Sequence, residues 1–224
     1  MKTVALIKGD IRFQLKYGFY YLYLFFMLLY IFFLLLFPVE WRQTVGVIMI
    51  YSDPAALGLF FMGAIVLLEK NQQVLNALTV APISGYNYLL GKASSIGLIS
   101  VAVSIVLGYT AKLDRLLVLL ATTALLSIIF TFLGFIVAAR ITTLNQYLLW
   151  TIPFQLICFV APIVHVFYPI KFLTWYPFCQ ATALLSGEGN IVATLLILSL
   201  FCLLLFVFAT KTFNRMKRTL GGGL

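Results

Sequence analysis

Charged residues are scarce in this sequence, at 9% of its 224 residues, whereas an ordinary soluble domain contains about 25%. Hydrophobic residues make up 63%, compared with about 45–50% in such a domain, and the mean hydropathy is +1.10. This shortage of charge excludes a soluble globular domain. The composition indicates an integral membrane protein.

Potential metal ligands are also scarce. The chain has one histidine, His165, and three cysteines, Cys158, Cys179 and Cys202. The cysteines show neither paired spacing nor a neighbouring histidine, which argues against a zinc site and a disulfide framework. His165 has no acidic residue close to it in sequence, so it is interpreted as a polar interfacial residue rather than a proton relay. No catalytic, cofactor-binding or metal-binding residues are predicted.

Long apolar runs dominate what is present. Each is close to the 20 or so residues that a helix needs to cross a hydrocarbon core of about 30 Å. Their residues do not alternate as in the strands of a membrane barrel. The sequence therefore predicts an all-α integral membrane protein with six transmembrane helices. The predicted spans are 19–37, 45–68, 93–111, 116–139, 147–167 and 191–210.

The basic residues predict the orientation of these helices. With both termini in the cytoplasm, eleven of the 15 Lys and Arg residues lie inside, and only Arg42, Lys112, Arg115 and Lys171 lie outside. Such a bias is typical of the positive-inside rule. The net charge of +9 is therefore attributed to the membrane surface, and no nucleic-acid partner is predicted.

Residues 1–18 have the pattern of an amphipathic helix. Apolar residues recur at helical spacing and basic residues occupy the other side, which is typical of a helix lying among lipid headgroups. The apolar positions are Val4, Ile7, Ile11 and Leu15, and the basic ones are Lys8, Arg12 and Lys16. The alternative is a basic tail that only sets topology. Both interpretations place this segment in the cytoplasm, with membrane lipids as partners.

Prolines interrupt the fifth span and the segment 168–190 that follows it. Pro169 and Pro177 flank the aromatic pair Trp175 and Tyr176. A broken segment can enter the bilayer only where protein satisfies its backbone groups, and Trp and Tyr favour the interface. We predict short re-entrant helices on the outer face, before the last span.

Small residues recur at every fourth position in the third and fourth spans. They include Ser100, Ser104 and Gly108 in the third span, and Gly134 and Ala138 in the fourth. Small side chains let membrane helices approach closely. The pattern predicts helix packing within the chain, and a dimer face is the alternative.

The segment 69–92 is polar for a chain of this kind and is predicted to form a cytoplasmic loop between the second and third spans. Glu69 and Lys70 end the second span. Leu75 and Leu78 share one face of a short helix, and Pro82 ends that helix. Ser84 is expected to cap the next helix.

A phosphate-binding loop does not fit this segment, although it contains Gly91 and Lys92. That motif needs four residues between its glycines and a Ser or Thr after the lysine. Here five residues separate Gly85 from Gly91, and Ala93 follows Lys92. ATP binding by this chain is not predicted.

The order EK…L…L.V.PIS…YLLGK after the second of six spans resembles the permease subunit of ABC-2 type ABC transporters. The stretch LIKGDIRFQLKYGFYYLY is similar to fluoroquinolone and drug exporters of that family. Ala81 departs from the pattern, because many relatives have Ser or Thr before the proline. The resemblance implies the ABC-2 exporter fold, a prokaryotic plasma membrane, an interfacial amino-terminal helix and re-entrant outer helices.

The resemblance also implies partners. A separate ABC ATPase subunit would hold ATP and Mg and dock on the cytoplasmic loop, and a second permease copy, identical or different, would complete an export pathway for an amphipathic or hydrophobic drug, lipid or peptide. Leu75→Asp, Leu78→Asp or Glu69→Lys would then uncouple transport in a chain that still folds. The implied coupling residues are Glu69, Lys70, Gln72, Leu75, Asn76, Leu78, Pro82 and Ser84. Those of the interfacial helix are Ile7, Lys8, Ile11, Arg12, Leu15 and Lys16.

Other functions remain open at this point. A membrane scaffold or immunity protein without transport would have the same composition. A secondary transporter would be expected to show inverted repeats, and an intramembrane enzyme would need polar groups at bilayer depth, where Asp53 is the main candidate. The chain is predicted to form one permease domain over 1–220, with 221–224 a possible tail or cloning scar.

Overall fold

The computed structural model describes residues 2–75, 83–168 and 170–220, and within them the chain is helical. Two π-helical turns, Tyr51–Ala55 and Leu156–Val160, join α3 to α4 and α7 to α8, and a 3₁₀ helix, Lys171–Trp175, precedes α9. The α-helices are α1 (Lys2–Lys16), α2 (Phe19–Leu36), α3 (Val39–Ile50), α4 (Leu57–Asn71), α5 (Gly85–Thr110), α6 (Leu116–Ala138), α7 (Leu144–Gln155), α8 (Ala161–Phe167), α9 (Pro177–Leu185) and α10 (Ile191–Leu220).

Six helical stretches in the described residues are long and apolar enough to cross a membrane. Each overlaps one predicted span, so the predicted number is confirmed. The ends differ, because helical hydrogen bonding continues past the apolar residues into the polar flanks. The third stretch, for example, begins at Gly85 rather than at residue 93. The six stretches are Phe19–Leu36, Val39–Asn71, Gly85–Thr110, Leu116–Ala138, Leu144–Phe167 and Ile191–Thr219.

Charge is distributed unequally between the two ends of the bundle. One end, which we call the basic end, is formed by α1, the end of α4, the start of α5, the link between α6 and α7, and the last turns of α10. It contains eleven basic and two acidic residues, a net charge of +9, whereas the four basic and four acidic residues elsewhere cancel. The position of this end relative to the cytoplasm stays a prediction.

Helix α6 lies at the centre of the bundle and packs against α4, α5 and α10. Its phenylalanines Phe130, Phe132 and Phe135 are fully buried. Helices α2, α7 and α10 instead expose many large apolar side chains. Exposed apolar surface on this scale fits contact with lipid or with other membrane helices. Together with the six apolar stretches, it is typical of a multi-pass membrane protein.

Small residues hold α4, α5 and α6 close together. A Cβ atom at Gly58 of α4 would lie 2.2 Å from Thr131 Oγ1 of α6, and one at Gly134 would lie 2.8 Å from the carbonyl oxygen of Leu59. The hydroxyls of Ser100 and Ser127, 2.8 Å apart, join α5 to α6. The predicted packing within the chain is confirmed at Ser100 and Gly134.

The two π-helical turns are bonded to each other. The Tyr51 hydroxyl donates to the Cys158 carbonyl oxygen at 2.5 Å. In an α-helix this carbonyl would accept from the N–H of residue 162, but Pro162 has none. Tyr51 therefore supplies a donor that the proline removes, and it ties the middle of the second span to the middle of the fifth.

We expect Tyr51→Phe to lower the free energy of unfolding by about 1–3 kcal/mol, because it withdraws a donor from a buried carbonyl. Tyr176→Phe is a matched control, since the Tyr176 hydroxyl donates to Ile157 of the same turn at 3.2 Å near the surface. Denaturant unfolding of both variants in detergent is the measurement. Equal losses would contradict the role given to Tyr51.

The segment before α10 contains short helices, as predicted. Helix α9 buries Phe178 and Cys179, whereas Trp175 in the preceding 3₁₀ helix is exposed. Helix α9 packs against α8, α10 and α6. These contacts fix the segment against the bundle, and its depth in a membrane stays a prediction.

Candidate functional site

A lysine is buried where α5 begins. Lys92 lies two turns into the helix and its side chain is 1% exposed. Its Nζ lies 2.5 Å from Asp10 Oδ1 of α1 and 2.5 Å from Glu69 Oε1 in the last turn of α4. A buried ammonium group is strongly destabilising without such partners. Lys92 therefore joins three helices at the basic end.

Tyr88 extends this arrangement to α10. Its hydroxyl donates to Glu69 Oε2 at 2.6 Å, so both carboxylate oxygens of Glu69 have a donor. The Tyr88 ring stacks on Phe213 with 4.9 Å between centroids. We call Asp10, Glu69, Tyr88 and Lys92 the ion cluster. It holds α1, α4 and α5 together, and through Tyr88 it also contacts the end of α10.

The ion cluster contains two carboxyl groups for one ammonium group. Burial raises the pKa of the Asp10 carboxyl above its ordinary value, and the attraction of Lys92 opposes this only in part. The nearby Glu69 carboxylate raises the Asp10 pKa further. Protonation of Asp10 would leave a neutral pair of Lys92 and Glu69, so a proton binds Asp10 more readily than it binds a free aspartate.

We expect the stability difference between the wild-type chain and Asp10→Asn to depend on pH. A carboxyl whose pKa is raised by folding contributes stability that is fully present below its unfolded pKa, about 4, and lost as pH rises through its folded pKa. The wild type should therefore lose stability relative to Asp10→Asn over that window. Unfolding midpoints of both chains across pH are the measurement, and a constant difference would contradict the prediction.

Helix α1 is held on α5 by a polar contact as well. The Gln14 amide is buried and donates to Ser95 Oγ at 3.0 Å. One turn earlier, the backbone of Gly91 lies so close to Leu6 that an added Cβ would be 3.2 Å from it. The face of α1 against the bundle thus contains Leu6, Asp10 and Gln14.

The residues predicted for the interfacial helix lie beside that face. Ile7 and Ile11 are half-buried, whereas Leu15 is exposed. The three basic residues Lys8, Arg12 and Lys16 are all exposed. The contact of α1 with headgroups stays a prediction.

Lys70 fixes the end of α4 to the end of α6. Its Nζ donates to the carbonyls of Ala138, Ala139 and Ile141 at 2.8, 3.0 and 2.7 Å. The last carbonyls of a helix lack helical partners, and a lysine can supply donors to them. Glu69 and Lys70 are adjacent in sequence, but Glu69 binds Lys92 of α5 and Lys70 binds the end of α6.

The other predicted coupling residues differ in their environment. Gln72 is exposed, and its amide donates to the Tyr17 hydroxyl. Ser84 caps α5, as predicted, by accepting from the Asn87 N–H at 3.3 Å. Leu75 is only 3% exposed and packs in the core. Asn76, Leu78 and Pro82 lie outside the described residues.

The burial of Glu69 and Leu75 differs from the expectation that both face a partner. Glu69 is turned inward by the opposite charge of Lys92, and Leu75 by the apolar core beneath it. The expected result of Glu69→Lys or Leu75→Asp changes accordingly. Both would place an unpaired charge in a buried site, so loss of folding is expected before any specific loss of coupling.

Sequence reasoning missed Asp10, Tyr88 and Lys92 as members of the ion cluster, and it missed Gln14, which holds α1 on α5 beside them. Asp10 is the one acidic residue among the basic residues of 1–18, and this was the available signal. The structure also shows what the cluster lacks. In the part of the chain that the structure describes, no group of three or more His, Cys, Asp or Glu residues is placed to hold a metal ion.

Comparison with known proteins finds two relatives, both named fluoroquinolones export permease protein, from the CDC 1551 / Oshkosh and ATCC 25618 / H37Rv strains of Mycobacterium tuberculosis. Each is 25% identical over 171 residues, which cover 73% of this chain and 70% of the relative. No family model matches the chain, and no solved structure matches it. The names of the relatives and the six apolar helices support a transport permease in a bacterial membrane.

Proposed function

We propose that this chain is the transmembrane permease subunit of an ATP-driven exporter of the ABC-2 type, powered by a separate ATPase. The observation that carries the proposal is the similarity to the two export permeases along 73% of the chain. The resemblance of the segment after the second span to ABC-2 loops adds the ATPase partner.

The ion cluster gives this proposal a mechanism. A partner bound to the link between α4 and α5 would push on the ends of both helices. Because Glu69 is bonded to Lys92 and Lys70 to the end of α6, the movement would pass to α1, α4, α5 and α6 together. Contiguous bonded networks of this kind can carry coupling between distant sites.

A groove between the second and fifth spans fits an amphipathic substrate. It encloses about 310 Å³ beside both π-helical turns. Ser52 and Gln155 supply polar groups among apolar side chains such as Phe60 and Phe159. We propose that a second permease copy covers this side and completes the pathway for an amphipathic or hydrophobic drug, lipid or peptide.

Recovery of an ATPase from native membranes tests the proposal. The tagged full chain should bring down a separate ATPase, and hydrolysis should be absent when the chain is purified alone. Substrate uptake into inverted vesicles should require ATP hydrolysis. A scaffold or immunity protein would show no uptake, and a secondary transporter would show uptake driven by an ion gradient without the ATPase. Absence of uptake, or uptake driven by an ion gradient alone, would contradict the proposal.

Cysteine labelling should place the basic end in the cytoplasm. Gln73→Cys and Lys171→Cys put single thiols on exposed residues at opposite ends, in a chain whose three native cysteines are replaced by alanine. An impermeant maleimide added to intact cells should label Lys171→Cys alone, and Gln73→Cys should react only after permeabilisation. Labelling of Gln73→Cys in intact cells would contradict the orientation and the docking site.

A further inference from the structure

A cavity of about 590 Å³ opens at the basic end, and no residue of the ion cluster lines it. The link after α6 forms one wall and the last turns of α10 form the other. Three basic residues line it: Arg140 from the link, and Lys211 and Arg215 from α10. Lys211 and Arg215 are four residues apart and so share a helix face. The cavity therefore gathers positive charge from two separate elements.

These three cations have no anionic partner in the part of the chain that the structure describes. Both ion pairs found there belong to Lys92, and they use the two acidic residues of the basic end, Asp10 and Glu69. Like charges around one cavity repel each other, so an anion held between them would be stabilising. Arginine in particular is suited to binding phosphate oxygens.

The apolar surroundings narrow the class of anion. Phe208 lines the cavity, is 61% exposed, and lies one turn before Lys211. Leu203 and Leu204 continue the exposed apolar surface along α10, from the cavity toward the middle of the last span. An apolar strip that ends in three cations matches the order of acyl chain and headgroup in a phospholipid. Free phosphate would use only the cations.

We propose that this cavity binds the headgroup phosphate of one anionic phospholipid, whose acyl chains lie along the exposed side of α10. Basic pockets between membrane helices are suited to such headgroups. The inference goes beyond the proposed function and requires only that the chain spans a membrane with its basic end at the interface.

Native mass spectrometry of the full chain, titrated with phosphatidylglycerol and with phosphatidylcholine, tests the proposal. The wild type should retain one phosphatidylglycerol preferentially. The triple variant R140Q/K211Q/R215Q should bind it on the order of 100-fold more weakly, because each basic group near a membrane surface contributes roughly fivefold. The triple variant K8Q/R12Q/K16Q removes three exposed charges from α1 at the same end, and it should keep the site. The variant R140K/K211R/R215K conserves all three positive charges of the cavity, and it should also keep the site.

Four outcomes would overturn the proposal. If the two glutamine variants weakened phosphatidylglycerol binding equally, the lipid would be held by the diffuse charge of the basic end and not by this cavity. If the wild type retained phosphatidylglycerol and phosphatidylcholine equally, the site would not select an anionic lipid. Displacement of phosphatidylglycerol by equimolar inorganic phosphate would indicate a phosphate site without an acyl-chain contribution. The last outcome is that R140Q/K211Q/R215Q binds lipid as before but no longer recovers the ATPase. This would indicate that the cavity binds an acidic protein surface and not a lipid. Circular dichroism should show that all variants remain helical.

Discussion

Lys92→Met is expected to destabilise the folded chain by about 3–5 kcal/mol, the cost of removing one partner from a buried ionic group. Methionine keeps most of the volume of lysine but leaves Asp10 and Glu69 facing each other without a cation. The loss should shrink as pH falls, because a protonated Asp10 carboxyl needs no counter-charge. Denaturant unfolding in detergent at two pH values is the measurement.

The triple variant D10N/E69Q/K92M is the control for this prediction. It removes all three charges together, and replacing a whole buried ionic group with neutral residues is often neutral or even stabilising. It should therefore recover most of the stability that K92M loses. If the triple variant were as unstable as K92M, packing volume rather than charge would explain the effect.

Gly58→Ala is expected to be strongly destabilising as well, by about 1–3 kcal/mol or more. The new methyl group would lie 2.2 Å from Thr131 Oγ1 and 2.5 Å from the Thr131 backbone nitrogen. A backbone atom cannot rotate away as a side chain can, so α4 and α6 must separate. Loss of helix contact along the most closely packed pair of spans should lower the unfolding midpoint markedly.

Gly97→Ala is a matched control with the opposite expected sign. Gly97 lies inside α5, and an added Cβ would meet nothing within 4 Å. Alanine in a helix interior is more stable than glycine by about 0.5–1 kcal/mol. Gly97→Ala should therefore raise the midpoint slightly in the same assay. A loss in Gly97→Ala similar to that in Gly58→Ala would show that helix approach is not the cause.

The six spans could be predicted because each depends on a local property of the chain. An apolar run of sufficient length forms a helix wherever it enters a bilayer, so neighbours are not needed to identify it. The Ser84 cap is local as well. The π-helical turns were harder to predict from the sequence, because the hydrogen bond from Tyr51 to Cys158 joins residues 107 positions apart. Only the prolines hinted that both helices were interrupted.

The candidate site was predicted less well because its members depend on tertiary contacts. Glu69 and Lys70 resemble an ordinary polar helix end, and their sequence gives no sign that one contacts α5 and the other α6. Asp10 lies 82 residues from Lys92. Pairing of charges over such distances is decided by helix packing, which a hydrophobicity pattern does not specify.

The unequal charge of the two ends has a consequence for an energised cell. With the basic end in the cytoplasm, as proposed, the nine net positive charges face the negative side of the membrane potential. One elementary charge crossing 100 mV corresponds to about 2.3 kcal/mol. At that potential, the electrostatic free energies of the proposed and inverted orientations would differ by on the order of 20 kcal/mol. A respiring cell therefore adds an electrical bias to the correct insertion of this chain. Newly made copies should be most prone to mis-insertion when a protonophore has collapsed the potential.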